Sequence, residues 1–253
     1  MTNIPDAFFE PDGDQFLPTP HARGPWDPNS LHGRVIGGLL GRTFEQRYGD
    51  ETLQFARLTV DLFRLPPMAP LQIETQMVRE GRRIRVVDGV VSSNGTEIAR
   101  GRGVLLRRTG QPAGEVWSPP NWDVPPPEAI EDSEGFFSGI WETRAIRRTE
   151  QKRTWLRETR LLIAGEALTP FVRCAVAADF ANPFANSGSA GLSFVNADIT
   201  LYLHRLPAGE WLGFEVASHQ SSDGISVGET TLYDVQGAIG KSIVCGVANQ
   251  RRR

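Results

Sequence analysis

The chain has only two cysteines among its 253 residues, Cys174 and Cys245. They stand in separate apolar runs, so no disulfide framework is indicated. No uninterrupted apolar run approaches the roughly 18 residues that a membrane span needs. A formal net charge of -3, without a long basic stripe, gives no electrostatic footprint for nucleic acid. No cluster of His, Cys, Asp and Glu has metal-ligand spacing, and no Gly-rich phosphate loop follows a strand. Neither a metal nor a resident cofactor is therefore expected. The opening MTNIPDAFFEPDGD is acidic and lacks an apolar core behind a basic tip, unlike a secretory signal. These absences leave a soluble, cytoplasmic globular protein as the expectation.

What the chain does contain is one passage written twice. FARLTVDLFRLPPMAPL begins at Phe55 and NADITLYLHRLPAGEW at Asn196, and each runs from an alternating stretch into Arg-Leu-Pro. Arg64 and Arg205 are 141 positions apart, and at that offset Leu58 falls on Ile199, Thr59 on Thr200 and Val60 on Leu201. After each Leu-Pro come a strand-like run, a break (REGRR, SSDGIS) and two more strands closed by a tight turn. One turn carries Asn94-Gly95, a strong hairpin signal, and the other Gly237.

A helix candidate precedes each copy. LHGRVIGGLLGRTFEQR places Val35, Ile36, Leu39, Leu40 and Thr43 at helical spacing. Its glycines at 33, 37, 38 and 41 would weaken an isolated helix, which implies one lying tight against a sheet that curls around it. LTPFVRCAVAADF opens with Thr169 as N-cap and Pro170 at the first helical position, and FANPF should stop it at Pro183. Between the copies, WSPPNWDVPPPEA is too rich in proline for a sheet interior. One such unit alone leaves a sheet face or edge uncovered. The expected fold is therefore α+β, a double hotdog with units at 1–115 and 134–253, a linker at 116–133, and sheets that join or pack along the repeat strands.

GPWDPNSLHGRVIGG, MVREGRR, AVAADF, VNADITLYLHRLPAGEWL and TLYDVQGAIGKSIV, in that order, resemble the type II acyl-CoA thioesterases and the wider thioesterase-like double-hotdog group. The resemblance spans the whole chain. It implies hydrolysis of an acyl-CoA substrate by water held and activated by an Asp, with a hydroxyl residue and a Gln from later strands. Counting back from the shared His-Arg puts the Asp at Asp198. Ser218 is the nearest hydroxyl, with His219 and Ser221 beside it. Cys245 stands where the Gln would be, and a thiol cannot supply both an amide donor and an acceptor.

The residues themselves bear on these roles. Strand parity puts Asn196, Asp198, Thr200, Tyr202 and His204 on one face, opposite the apolar Ile199, Leu201 and Leu203. The first copy has Arg57 at the position of Asp198, so the scaffold is doubled and the acid is not. Asp179 lies on the apolar stripe of the second helix, where a carboxylate is costly unless hydrogen-bonded or used; a structural and a catalytic role remain open for it. Cys174, on the same helix, reads as a small core residue. His32 and Gly33 begin the first helix, where free N–H groups can polarise a thioester oxygen, or where the glycine serves only to permit a close helix entry. Arg79, Arg82 and Arg83 are candidates for the phosphates of the substrate, or a solvated hairpin.

Two other functions compete with hydrolysis. Hotdog enoyl-CoA hydratases carry D-x-N-P-x-H; DPNSLH has Asp27, Asn29 and His32 but Ser30 for the Pro, and DFANPF ends in Phe184 instead of His. A catalytically weak acyl or acyl-CoA binding protein would fit the missing Gln. Chain length of the acyl group and any homo-oligomer are not legible.

Overall fold

The repeat offset carries through to the strand ends in the computed structural model, which describes residues 6–120, 122–130, 141–146 and 152–249. The first repeat consists of β1 (Ala7–Asp12), β2 (Gln15–Pro18), α1 (Gly33–Tyr48), β3 (Leu53–Leu62), β4 (Leu71–Glu80), β5 (Ile84–Ser93) and β6 (Thr96–Arg107). Strands β7 (Glu142–Ala145), β8 (Arg153–Arg157) and β9 (Leu161–Ile163) lead to α2 (Pro170–Ala177) and α3 (Ala181–Asn186). Short strands β10 (Ser187–Gly188), β11 (Gly191–Leu192) and β12 (Phe194–Asn196) precede β13 (Asp198–Leu203), β14 (Leu212–Ser222), β15 (Ile225–Asp234) and β16 (Gly237–Ala248). Shifted by the offset, β3, β5 and β6 coincide end for end with β12–β13, β15 and β16.

Among the described residues, a single large sheet runs β7-β8-β14-β15-β16-β13-β3-β6-β5-β4-β2-β1-β9, with β12 paired to β16. The repeats meet where β13 pairs antiparallel with β3. Thr200 lies opposite Thr59, Asp198 opposite Asp61, and Tyr202 opposite Arg57. Thr59 and Thr200 are equivalent residues, so a local two-fold axis passes between them. At the far edge β9 adds in parallel to β1, pairing Ala7 with Leu161, and so covers an edge of the first repeat with a strand of the second. This is the double hotdog expected from the sequence. No helix among the described residues is long and apolar enough to cross a membrane.

Helix α1 buries Val35, Ile36, Leu39, Leu40 and Phe44 completely, each side chain contributing about 1.5–3 kcal/mol relative to exposure. The role foreseen for its glycines needs correcting. A Cβ at Gly37 would come within 3.0 Å of the Ala175 carbonyl oxygen, and one at Gly41 within 2.8 Å of the Ala175 Cβ. These glycines admit helix α2 of the other repeat more closely than the sheet, whose Leu162 comes within 3.1 Å of a Cβ at Gly38. The sheet accommodates α1 with glycines of its own: a Cβ at Gly89 would lie 2.7 Å from the Phe44 ring, and one at Gly101 2.8 Å from Leu40.

The second helix does not stop at Pro183 as anticipated. It breaks earlier, into a 3-10 turn at Ala178–Phe180, and resumes as α3 with Pro183 in its first turn. Proline lacks the N–H that would bond the carbonyl four residues back, that of Asp179, and its ring crowds that carbonyl. The break and the position of Asp179 therefore have a common cause, and the turn sits at the middle of the segment.

Arg205 closes the second repeat. Its guanidinium donates to both oxygens of Asp234, at 2.5 and 2.6 Å, and to the carbonyls of Gly237 and Ala238. Asp234 also accepts the N–H groups of Ala208 and Gln236. Burial pushes its carboxyl up, but the Arg205 hydrogen bonds and these backbone donors outweigh that and hold it below the ordinary value. A depressed folded value means stabilisation is complete above the unfolded carboxyl range, about 3.9, and is lost as pH falls through the folded value. Asp234→Asn should cost about 1.5–3 kcal/mol at neutral pH. Urea titrations of parent and variant should converge as pH drops below about 4; a gap independent of pH would show that the charge of Asp234 is not what matters.

Candidate active site

The strand parity read from the sequence fails at one residue, and the failure builds the site. Asn196 pairs with Gly246 and Thr200 with Ile243, so four steps on one strand face three on the other. The extra residue is a β-bulge at Ala197, which turns Asn196 to the inner face. The first repeat has its own bulge at the equivalent Ala56, between Phe55 and Arg57. There the inward residue is Phe55.

Bulges leave ladder groups unpaired. Asp198 takes one of them, accepting the Cys245 N–H at 2.6 Å. Its side chain thus serves the outer face of the sheet, beside Cys245 and opposite Asp61. The wall of the large cavity includes Asn196 and Ala197 but not Asp198. Ser218 is outside that wall too. Neither residue is brought to the cavity by this fold, contrary to the expectation drawn from the resemblance.

The cavity encloses about 1150 Å³ between the repeats. Trp26, Leu31, Phe63, Trp141, Phe180 and Leu192 supply much of an apolar wall. His32, Gly33, Asp179 and Asn196 converge at one side, where the N-terminus of α1 meets the 3-10 turn of the other repeat. A Cβ on Gly33 would lie 3.0 Å from Asp179 Oδ1. Only glycine lets the carboxylate come this close to the helix end.

His32 Nδ1 lies 3.0 Å from Asp179 Oδ2 and 3.4 Å from the Arg34 amide nitrogen. A bare Nδ1 would face its lone pair toward the carboxylate. The Arg34 N–H points at the same nitrogen over the longer distance; with the proton on Nδ1 the ring gives up that weak contact, donates to Asp179, and leaves Nε2 without a hydrogen-bond partner among the described residues. Gly33 N–H, the first of the helix, likewise has no hydrogen-bond partner among the described residues.

Asp179 is almost wholly buried, at 4% exposure, yet it is not isolated. Asn196 Nδ2 donates to its Oδ1 at 2.9 Å. Asn182 donates to Asn196 Oδ1 at 3.2 Å, and Asn186 donates to Asn182 Oδ1 at 2.9 Å. His219 Nδ1 ends the series, 2.8 Å from Asn186 Oδ1. Each amide donates once toward Asp179 and accepts once from behind, so all orientations are set. Asp179, Asn182 and Asn186 recur at helical spacing on one side of the broken helix. Burial drives the Asp179 carboxyl up, but the His32 hydrogen bond, the charge that ring carries whenever it is protonated, the Asn196 amide and the Arg34 charge outweigh it and hold it below the ordinary range.

Arg34 lies behind this pair. It donates to Glu158 at 2.7 Å, and its guanidinium stacks over the rings of Phe8 and Trp141. Burial opposes its charge and lowers its pKa, and the charges of Glu158 and Asp179 offset part of that. Cys174 is buried, and burial pushes its thiol far up, which suits a core residue and not a nucleophile. Asp27 of DPNSLH accepts the Asn29 N–H in an exposed turn, so His32 pairs with Asp179 and not with its neighbour in that motif.

Arg82 and Arg83 occupy the β4–β5 turn, where Arg107 N–H bonds the Arg83 carbonyl and Arg108 N–H bonds that of Thr52. Thr52 follows the C-terminal end of α1. The cavity opens at the N-terminal end, about 24 Å away along a helix of this length. Those arginines are not placed to line it. Three residues of the cluster went unrecognised in the sequence: Asn182, Asn186 and, in its inward orientation, Asn196. The spacing of the asparagines from Asp179 was the available signal.

The acyl-CoA thioesterase N-terminal domain model matches residues 22–106, and the acyl-CoA thioesterase C-terminal domain model matches residues 110–243. Among solved structures, the chain resembles a thioesterase candidate from Novosphingobium aromaticivorans at 17% identity and a TM-score of 0.75, covering 94% of this chain and 97% of that one. A hot dog fold protein of unknown function from Alicyclobacillus acidocaldarius gives 16% and 0.73, covering 98% and 97%. The acyl-CoA thioesterase II TesB2 from Mycobacterium marinum gives 16% and 0.67, covering 90% and 96%. At such identities these likenesses speak for the fold. A search of curated proteins finds no match.

Two outcomes test the geometry. Asn182→Leu leaves Asn196 Oδ1 and Asn186 Nδ2 without partners, and should lower stability by about 1–3 kcal/mol in denaturant titrations; an unchanged midpoint would mean that the amide series is not held together. Burial, and then the hydrogen bond to Asp198 and its charge, push the Cys245 thiol up to about 11. Labelling of Cys245 by iodoacetamide at about pH 8 should therefore be slow. It should speed up several-fold in Asp198→Asn, and equal rates would separate the two groups.

Proposed function

The chain belongs to the acyl-CoA thioesterase family, and from that premise we propose that it hydrolyses acyl-CoA thioesters at the His32–Asp179 pair. The observation that carries this reading is the 3.0 Å contact between these two side chains at the N-terminus of α1, in the wall of the large cavity. Asp179 fixes the ring so that Nε2 is the basic nitrogen. A water between Nε2 and the substrate gives up its proton to His32 as its oxygen attacks the thioester carbonyl. Charge developing on the carbonyl oxygen meets the Gly33 N–H and the positive end of the helix. Collapse of the tetrahedral adduct breaks the carbon–sulfur bond, and the proton held by His32 passes to the departing thiolate. The products are the free acid and coenzyme A.

Asp198 has a different part in this reading. It supports the bulge that turns Asn196 toward Asp179, and needs no contact with substrate to do so. The absent Gln then raises no difficulty, because the hydrolytic groups are His32, Gly33 and Asp179.

Release of free thiol from an acyl-CoA should fall by about 10²-fold or more in His32→Gln and in Asp179→Asn, the scale of losing a general base. Asp198→Asn keeps an oxygen for the Cys245 N–H and should stay within a few-fold of the parent. Collapse of turnover in Asp198→Asn with His32→Gln still active would transfer the chemistry to the outer face. Consumption of an enoyl-CoA without thiol release would favour water addition to a double bond instead.

A further inference from the structure

The arginines of the two Arg-Leu-Pro passages differ in what holds them. Arg205 is tied down by Asp234, the last residue of β15. The equivalent last residue of β5 is Ser93, and its hydroxyl is spent on the Pro70 carbonyl at 2.9 Å. Arg64 thus lacks the carboxylate that its repeat partner has. It makes no hydrogen bond or ion pair among the described residues. The carboxylate whose charge it feels, Glu97, already accepts two hydrogen bonds from Arg100.

Freed from the scaffold, Arg64 lines the same cavity as His32 and Asp179. Arg64, His32 and Asp179 are the only ionisable side chains in its wall among the described residues. Around Arg64 the rim is apolar and open, with Phe63 51%, Leu65 47% and Val247 58% exposed. A single cation on an apolar rim suits a ligand that is uncharged along its length and anionic at the end remaining outside. We infer that Arg64 receives the phosphate at the end of the pantetheine arm, the group shared by coenzyme A and acyl-carrier proteins. This rests on the reading of the cavity as a thioester site. It replaces the Arg82–Arg83 turn as the anion contact.

The test compares KM for octanoyl-CoA, octanoyl-4′-phosphopantetheine and octanoyl-pantetheine in the parent and in Arg64→Gln. A charge-assisted contact at a solvated rim should raise KM about three- to tenfold for the two phosphate-bearing substrates. The phosphate-free substrate should show little change, and added salt should narrow the difference. Equal changes for all three, or none, overturn the inference; a change confined to octanoyl-CoA overturns it by moving the contact to the nucleotide. Arg205→Gln is the comparator, lowering the Tm without producing this substrate pattern. If the parent hydrolyses none of the three, the hydrolytic reading fails by itself. Calorimetric binding of the same compounds to parent and Arg64→Gln then decides the phosphate contact by the same pattern.

Discussion

Strand β3 bonds to β13 around the Thr59–Thr200 pair, and the positions of both helices follow from this register. A one-residue slip would reverse every side chain on these strands, sending Leu58, Val60, Ile199 and Leu201 out of the core. It would also carry α1 away from α2, whose Ala175 approaches Gly37 with its carbonyl and Gly41 with its methyl group as closely as a missing Cβ permits. The pairing therefore requires the N-terminus of each helix to face the helix of the other repeat. An active centre at such a place takes one part from each repeat, and neither repeat contains it alone.

Two-fold arrangement offers two such places, and the sequence has treated them differently. At the start of α1 the facing groups are Asp179 and, from the bulge, Asn196. At the start of α2 the bulge residue is Phe55, stacked on Phe171 with ring centroids 4.4 Å apart. Around it Thr169 bonds Glu45, and Arg42 is paired with Glu166. Aromatic stacking adds about 0.5–1.5 kcal/mol beyond the area buried. One helix end has become core, while the other keeps a cavity and polar groups that a core would exclude. The same asymmetry separates Arg205, bound by Asp234, from Arg64, opposite Ser93.

Much of the scaffold was legible because repetition is a property of sequence that survives without any knowledge of contacts. The offset between Arg64 and Arg205 located four strands in each repeat, and the alternation of Leu58, Val60, Ile199 and Leu201 gave their inner faces. The site was less legible, for a local reason. Alternation predicts side-chain direction only while the strand is regular, and an alanine such as Ala197 carries no mark of a bulge. Asn196 and Asp198 therefore looked like neighbours on one face when the structure separates them. Asp179 was visible as a polar residue on an apolar stripe, but its partner His32 lies in the other repeat, 147 positions earlier, and no spacing rule connects them. The arginines of the β4–β5 turn drew attention through their number; their distance from the helix N-terminus is a property of the folded chain alone.

Burying a carboxylate beside a helix end is unfavourable unless every oxygen is satisfied, and the asparagine series shows how this fold meets that condition. An amide both donates and accepts, so a line of them can carry one direction of hydrogen bonding through the interior to His219 without leaving an end unpaired. Serine could turn its hydroxyl either way, and aspartate could not donate. Space for the line is also built in: a Cβ at Gly228 would lie 2.7 Å from Asn186 Oδ1. The helix break caused by Pro183 then matters beyond local geometry. It sets Asp179 in the 3-10 turn that meets the start of α1, while Asn182 and Asn186 stay on the resumed helix beneath the bulge. Proline, bulge and glycine are each unfavourable or neutral for an isolated element. Together they permit a charged group to be held, oriented and ionised at the junction between repeats.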